Sequence, residues 1–434
     1  MTRWRSAISM LIALALGAAS AWFIGRTAGP GGVFTTALGS AALTWAITRH
    51  RAPGPRRMMW TAVYSILALT LLWTTISIVS YARDSDGEPV SQVIGEWGRN
   101  HRLGTVVDQM EAIAYSNSPA KSPAKQLTLD PTLTSATGDT AAPTTTNAAI
   151  PAPAPIVPVL SPALPGEGQW APIAKAGGYD AVWATSMRPL AEFGGVVASM
   201  AVIDQTYLRV GLFNGSEVPG GSWTRGKRIP TELYPALVAA FNGGFRFDHI
   251  KGGYVTEGRT VRALRSADAT IAIGKDGKVV FGALGRDIAK DGPWVSLRQN
   301  LILIVDNSES QVRAGVTLGV WWGADYGRQV YVPRSALCQL ADGRLAYAYV
   351  SEVDAEQLAQ SLIHMGCTKA MQLDINGDWP ALFTFDHPLD GSVLPHLLDD
   401  RMHTPLHRYL NGSKKEFFAL FDSTLVPNPS VLDA

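Results

Sequence analysis

The sequence predicts an α+β fold: a mixed-sheet domain preceded by transmembrane helices. Three observations lead there. Long apolar runs are concentrated in the first 81 residues. A stretch rich in Pro, Ala, Ser and Thr follows at 117–167. From 168 the texture changes to short apolar runs separated by turn residues, with one well-signalled helix. A chain of 434 residues has room for two or three domains. A net charge of +1 gives no reason to expect nucleic acid as a partner.

Residues 7–25, 31–48 and 58–81 are the apolar runs. A membrane helix needs about 20 such residues. The first and third qualify, and the second is weakened by small residues and Thr. Arg3 and Arg5 precede the first run, and Arg49, Arg51, Arg56 and Arg57 crowd the loop before the third. Asp84, Asp86 and Glu88 follow the third. Arginines mark the cytoplasmic side. The expectation is therefore a multi-pass anchor at 1–81 with three spans, and everything after 82 outside the cytoplasm. Ala19-Ser20-Ala21 also fits a signal-peptidase site; cleavage there leaves two spans and the same orientation.

Residues 82–116 predict a juxtamembrane amphipathic helix, since Val93, Ile94, Trp97, Val106, Val107 and Met110 recur at near-helical spacing. The 117–167 stretch predicts an extended linker, because Ala-Pro-Ala-Pro-Ile-Val-Pro forms neither helix nor central strand. The domain proper is expected over 168–434. Runs at 196–203 and 207–213 read as strands. Gly-Lys-Asp-Gly at 274–277 and Ala-Asp-Gly-Arg at 341–344 read as hairpin turns. Asp354 and Gln357 have capping-box spacing, Ala355, Leu358, Ala359 and Leu362 make one apolar face, and Gly366 is the stop. A strand at 370–373 follows. Strand, helix, strand implies a parallel pair with a right-handed crossover. That places Asp374 at the C-terminal edge of a strand, where open sheets carry chemistry.

Asp374, Asn376 and Asp378 alternate like the first half of a calcium loop, but the glycine at the sixth position and the distal glutamate are missing. No metal or other cofactor is expected, and calcium stands as the weaker alternative. Asn242-Gly243-Gly244 follows an apolar run; paired glycines let the backbone bend and turn N–H groups toward an anion. Arg334 opens a strand and could clamp a phosphate through two hydrogen bonds. His403 and His407 have metal-pair spacing, but Pro405 breaks the helix this would need. Cys338 and Cys367 form no metal cluster; an extracytoplasmic domain allows one disulfide, and both also fit buried thiols.

Taken together, these pieces resemble the phosphodiester glycosidase family. The matching segments are Asn214-Gly215-Ser216-Glu217-Val218-Pro219-Gly220-Gly221, Phe241-Asn242-Gly243-Gly244-Phe245, Gly252-Gly253-Tyr254 with Glu257-Gly258-Arg259, Arg298-Gln299-Asn300-Leu301, Arg334-Ser335, and Met365-Gly366-Cys367 leading to Leu373-Asp374. The family commonly ends its last strand with Asp-Gly-Gly-Gly-Ser, whereas here Ile375-Asn376-Gly377-Asp378-Trp379 follows Asp374. The chain is similar to a bacterial, membrane-anchored branch. The resemblance implies hydrolysis of a sugar-1-phosphodiester, with a phosphorylated envelope glycan as substrate. Asp374 is then the catalytic carboxylate, Arg334 the phosphate clamp, and Asn242, Gly243, Gly244, Asn376 and Asp378 the substrate-binding set. Two alternatives belong to other classes: a non-catalytic module that binds glycan phosphates, and a calcium-stabilised structural ectodomain.

Overall fold

The computed structural model describes residues 55–83, 90–114, 119, 121, 151–312, 322, 331–375 and 377–433. The runs at 7–25 and 31–48 lie outside these, as does most of the linker. The chain divides into two compact units, Met1–Gly104 and Thr105–Ala434.

In the first unit, α1 (Pro55–Arg83) occupies the third apolar run. Among the described residues no helix is long and apolar enough to cross a membrane, so the structure lends the expected spans no support. The single amphipathic helix expected at 82–116 is two helices, α2 (Val90–Asn100) and α3 (Gly104–Ala114). Arg102 takes a left-handed conformation at the break, with φ 63°. Val93 and Trp97 are buried on the inner face of α2. The Trp97 indole N–H donates to Ser77 Oγ at 2.9 Å, and the Tyr81 hydroxyl donates to Glu96 at 3.2 Å, which fastens α2 to α1.

The second unit is sheet-dominated. Its strands are β1 (Ala171–Ala176), β2 (Tyr179–Met187), β3 (Ala198–Ile203), β4 (Leu208–Phe213), β5 (Leu237–Asn242), β6 (Tyr254–Thr256), β7 (Arg259–Arg262), β8 (Ala269–Gly274) and β9 (Val279–Ala283). They continue with β10 (Trp294–Gln299), β11 (Val305–Asp306), β12 (Glu309–Ser310), β13 (Val332–Leu340) and β14 (Leu345–Val353). Helix α4 (Ala355–His364) precedes β15 (Cys367–Gln372), β16 (Leu382–Asp386) and β17 (Leu394–Leu397); the short α5 (Arg408–Asn411) precedes β18 (Phe417–Asp422). Among the described residues three sheets result: β1-β2-β3-β14-β13-β15-β11-β12, β7-β6-β10-β8-β9 and β17-β16-β5-β18-β4.

Both expected hairpins form, as β8–β9 and β13–β14. The capping box also forms: Asp354 accepts from the Gln357 N–H at 2.8 Å, and Gln357 Oε1 accepts from the Asp354 N–H at 3.2 Å. The expected parallel pair does not. β13 lies between β14 and β15 and runs antiparallel to both. The tight Asp342-Gly343 hairpin puts β13 beside β14 first, so α4 crosses over β13 and β15 pairs on its far side.

Alternation along β13 and β14 sets two faces. Ala336, Cys338, Ala346, Ala348 and Val350 meet Leu358, Ala359 and Leu362 of α4. Side chains this small let the helix sit close to the sheet. Leu337, Tyr347, Tyr349, Met371 and Leu373 face the opposite core, shared with Phe241, Phe418, Ile271 and Ile273 from the other two sheets. Cys338 and Cys367 are disulfide-bonded across β13 and β15, with Cα atoms 5.6 Å apart. Residues 151–167, expected as linker, lie against this unit. The Ile156 N–H donates to Gly168 O at 2.9 Å, and Trp170 donates to Ala154 O at 2.9 Å. Glu167 is buried against Arg188 at 2.7 Å.

Candidate active site

Three chain segments meet at the end of β15. The first is β15 itself, which runs out through Leu373 into Asp374, 3 % exposed. The second is the end of β5, where Asn242 leads into Gly243-Gly244. The third is Lys415-Glu416, directly before β18. Phe417 pairs with Asn242, so β18 begins where β5 ends.

Ser335 ties the first two together. Its N–H donates to Asp374 O at 2.9 Å, and its hydroxyl oxygen accepts from the Asp374 N–H at 3.1 Å. The same oxygen accepts from Asn242 Nδ2 at 3.1 Å. Asn242 Oδ1 in turn accepts from the Tyr347 hydroxyl at 2.8 Å and from the Ala381 N–H at 3.1 Å. Asn242 therefore orients neighbouring groups and is itself fully committed.

The glycine pair serves close approach. A Cβ on Gly243 would lie 2.5 Å from Glu416 Oε1, and one on Gly244 would lie 2.8 Å from Asn300 Oδ1. The Gly244 N–H does point at an anion, and the anion is the Glu416 carboxylate, at 2.9 Å. Arg298 Nε donates to the same oxygen at 2.7 Å. Asn300 spans the site, accepting from the Phe245 N–H at 3.0 Å and donating to the carbonyls of Gln372 and Leu373 at 2.7 and 3.0 Å. Arg298 and Asn300 thus connect the glycine turn to the strand that ends at Asp374.

The Asp374 carboxylate accepts from the Ile375 N–H at 2.8 Å and forms a buried ion pair with Lys415. The Lys415 ammonium lies 4.9 Å from the Trp379 ring centroid, and the Arg408 guanidinium lies 4.4 Å from it. Arg408 also donates to Asp378 O at 2.8 Å, which holds the 377–379 turn against α5. Two cations therefore lie against one aromatic ring, and one of them pairs with Asp374.

Of the expected residues, Asp374, Asn242, Gly243 and Gly244 come together here. Asp378 is half-buried in the turn that Arg408 holds, and Asn376 lies outside the described residues. Arg334 does not join them. It is on the α4 face of the sheet, where it donates to Val353 O at 2.7 Å, Trp322 O at 3.2 Å and Gln372 Oε1 at 2.8 Å. Burial lowers its pKa to about 10, against the opposing pull of Asp354. A guanidinium committed in this way is a structural bolt. Ser335, the next residue, points to the opposite face and reaches the site.

Lys415, Glu416 and Arg408 went unnoticed in the sequence. The one signal for Lys415 and Glu416 is a run of charges, Lys414-Lys415-Glu416, immediately before an apolar strand. Among the described residues, no group of three or more His, Cys, Asp or Glu is placed to hold a metal. A cavity of about 250 Å³ opens beside Lys175, Leu237, Asp386, His387 and Asp422. Leu237 begins β5 and Asn242 ends it, so that cavity is at the other end of the strand from Asp374.

Residues 236–374 match the family model of phosphodiester glycosidases; the match starts at β5 and stops on Asp374. No curated protein matches the chain. Among solved structures, the zebrafish N-acetylglucosamine-1-phosphodiester alpha-N-acetylglucosaminidase catalytic domain, auto-inhibited by its pro-peptide, is 17% identical with a TM-score of 0.38, covering 57% of this chain and 86% of that one. A hypothetical protein from Synechocystis is 11% identical with a TM-score of 0.39, over 58% of this chain and 64% of that one. A putative exported protein from Burkholderia pseudomallei is 12% identical with a TM-score of 0.28, over 54% and 75%. The stretch 236–374, which carries the glycine turn and the strand ending at Asp374, is of the phosphodiester glycosidase family.

Proposed function

We propose that this protein is a glycosidase that releases a sugar from a sugar-1-phosphodiester of a cell-envelope glycan. The observation that carries the reading is Asp374: a buried carboxylate at a strand end, closing the family match, paired with Lys415, while Arg408 lies with Lys415 against the Trp379 ring. Glycosyl transfer passes through an oxocarbenium-like state and needs a carboxylate at the anomeric carbon. A phosphodiester is a weakly basic leaving group, so a cationic clamp can replace a strong general acid. In this reading Asp374 is base or nucleophile, and the clamp expected of Arg334 passes to Lys415 and Arg408. The incoming phosphate draws Lys415 away from Asp374 and thereby frees the carboxylate.

The reading includes anchoring at the membrane through the N-terminal apolar runs, with the domain outside the cytoplasm. The arginine pattern supports that orientation. The Cys338–Cys367 disulfide supports an oxidising compartment.

A second reading, a module that binds glycan phosphates without turnover, is favoured by the engagement of Asp374 with Lys415 and the Ile375 N–H. Turnover separates the two. The purified full chain is given a panel of sugar-1-phosphodiesters beside Asp374→Asn. Release of sugar that disappears in the variant is the expected result. Binding of sugar phosphates with no release would leave the binding module.

A further inference from the structure

The cavity of about 250 Å³ at the start of β5 has no part in the glycosidase reading. Its floor is apolar. Ile173 and Val238 belong to one hydrophobic cluster, Leu237 and Phe385 to another, so the cavity lies on the seam between two cores. Water on such a floor finds few hydrogen-bond partners, which favours its replacement by an apolar group. The volume falls short of the range of about 300–1,000 Å³ usual for drug-sized ligands, so the occupant is a smaller molecule.

The polar lining divides into groups the fold uses and groups it leaves. Asp422 accepts from the Gly177 N–H at 2.6 Å, the Thr424 N–H at 2.9 Å and the Thr424 hydroxyl at 2.6 Å, so it braces the wall. His387 Nε2 donates to Leu237 O at 2.7 Å. Lys175 and Asp180 differ. They are cross-strand partners on β1 and β2, and both line the cavity. Lys175 is exposed and Asp180 half-buried. Among the described residues neither side chain makes a hydrogen bond or an ion pair, with the other or with a third group. Asp386, half-buried at the end of β16, lines the same cavity and meets His396 Nε2 through Oδ2 at 3.0 Å, which leaves Oδ1. Two opposite charges that share one cavity without pairing are complementary to a ligand that carries both.

We propose that this cavity binds a free apolar α-amino acid of about leucine size. The side chain lies on the floor, Asp180 and Asp386 take the ammonium, and Lys175 takes the carboxylate. The apolar floor excludes a polar side chain, which would lose its hydration without gaining a partner. An uncharged apolar molecule leaves the lining charges unused, and a simple amine leaves Lys175 unmatched. Leu237 begins β5 and Asn242 ends it, so this site is separate from Asp374 and goes beyond the glycosidase reading.

The test is calorimetry on the full chain with L-leucine, which is expected to bind saturably at concentrations below about 10 mM. Two probes each drop one charge: isopentylamine lacks the carboxylate, and 4-methylpentanoate lacks the ammonium. Each is expected to bind at least about 10-fold more weakly than leucine, the loss of one charge-assisted contact. Lys175→Gln should weaken leucine and leave isopentylamine unchanged. Asp180→Asn should weaken leucine and isopentylamine, and leave 4-methylpentanoate no weaker. Neither side chain has a partner in the fold, so wild-type melting temperatures are expected and serve as the fold control. No saturable heat with leucine, probes that bind as tightly as leucine, or variants without effect would each overturn the site. The readout is binding, so the result stands whether or not the chain turns over a sugar phosphodiester.

Discussion

Lys415 and Asp374 form an ion pair whose side chains are each only 4 % exposed, joining the strand that ends at Asp374 to the one that begins after Lys415. A pair this deep loses the hydration of both ions, so its worth lies in what happens when one partner is removed. Lys415→Met leaves a buried carboxylate without its cation and is expected to cost about 3–5 kcal/mol by urea unfolding. Combining it with Asp374→Leu should recover part of that loss, since no charge then remains buried. A double variant as unstable as the sum of the two singles would show that the pair is not coupled.

Arg334 yields a prediction of the opposite kind. Its guanidinium binds the carbonyls of Val353 and Trp322 and the Gln372 side chain. Arg334→Ala removes these donors from buried acceptors, and the expected cost is about 2–4 kcal/mol of stability. Substrate KM for the folded fraction should stay within about twofold of wild type, as uniform binding is untouched. A KM raised tenfold with unchanged stability would restore Arg334 to the phosphate.

How far this could be read from the chain depends on where each signal lies. The capping box at Asp354 and Gln357 and the turn at Asp342-Gly343 are local, and both formed as expected. Asp374 stood out because acids at a strand end are conspicuous within five residues. The pairing of β15 was not local. It was decided by which strand β13 met first, and no period within 354–373 encodes that. Arg334 illustrates the limit for side chains. In a strand, neighbouring residues face opposite ways, so a one-position difference separates the bolt from Ser335 in the site. Lys415 and Glu416 come from beyond the matched stretch; β18 pairing with β5 brings Lys415 to Asp374 and Glu416 to the glycine turn.

The Cys338–Cys367 disulfide closes a loop of 29 residues between β13 and β15. Loop-closure entropy gives it about 3–4 kcal/mol of stabilisation. Both residues are also buried in the core under α4, so replacement by Ala instead of Ser avoids burying hydroxyls. The double Ala variant should unfold at lower guanidinium concentration than the oxidised protein, and dithiothreitol should lower the midpoint of the wild type only. A wild-type midpoint indifferent to reductant would mean that the two thiols are unbonded in solution.

Glu167 carries the acid dependence of the segment that packs ahead of β1. Burial raises its pKa, but the Arg188 side chain and the N–H groups of Leu164 and Arg188 outweigh this and leave it below the ordinary 4.5. A carboxylate whose folded pKa is depressed binds fewer protons when folded than when unfolded. Its contribution is therefore complete above about pH 4.5 and is lost as pH falls through the lower folded value. Glu167→Gln should melt below wild type at pH 6, and the gap should narrow steadily toward pH 3 as the wild-type carboxylate becomes protonated. Arg188→Met should show the same narrowing, because it removes the partner that depresses the pKa. A gap that stays constant across this range would show that the Glu167 charge adds nothing, and that the packing of 151–167 rests on its apolar and backbone contacts alone.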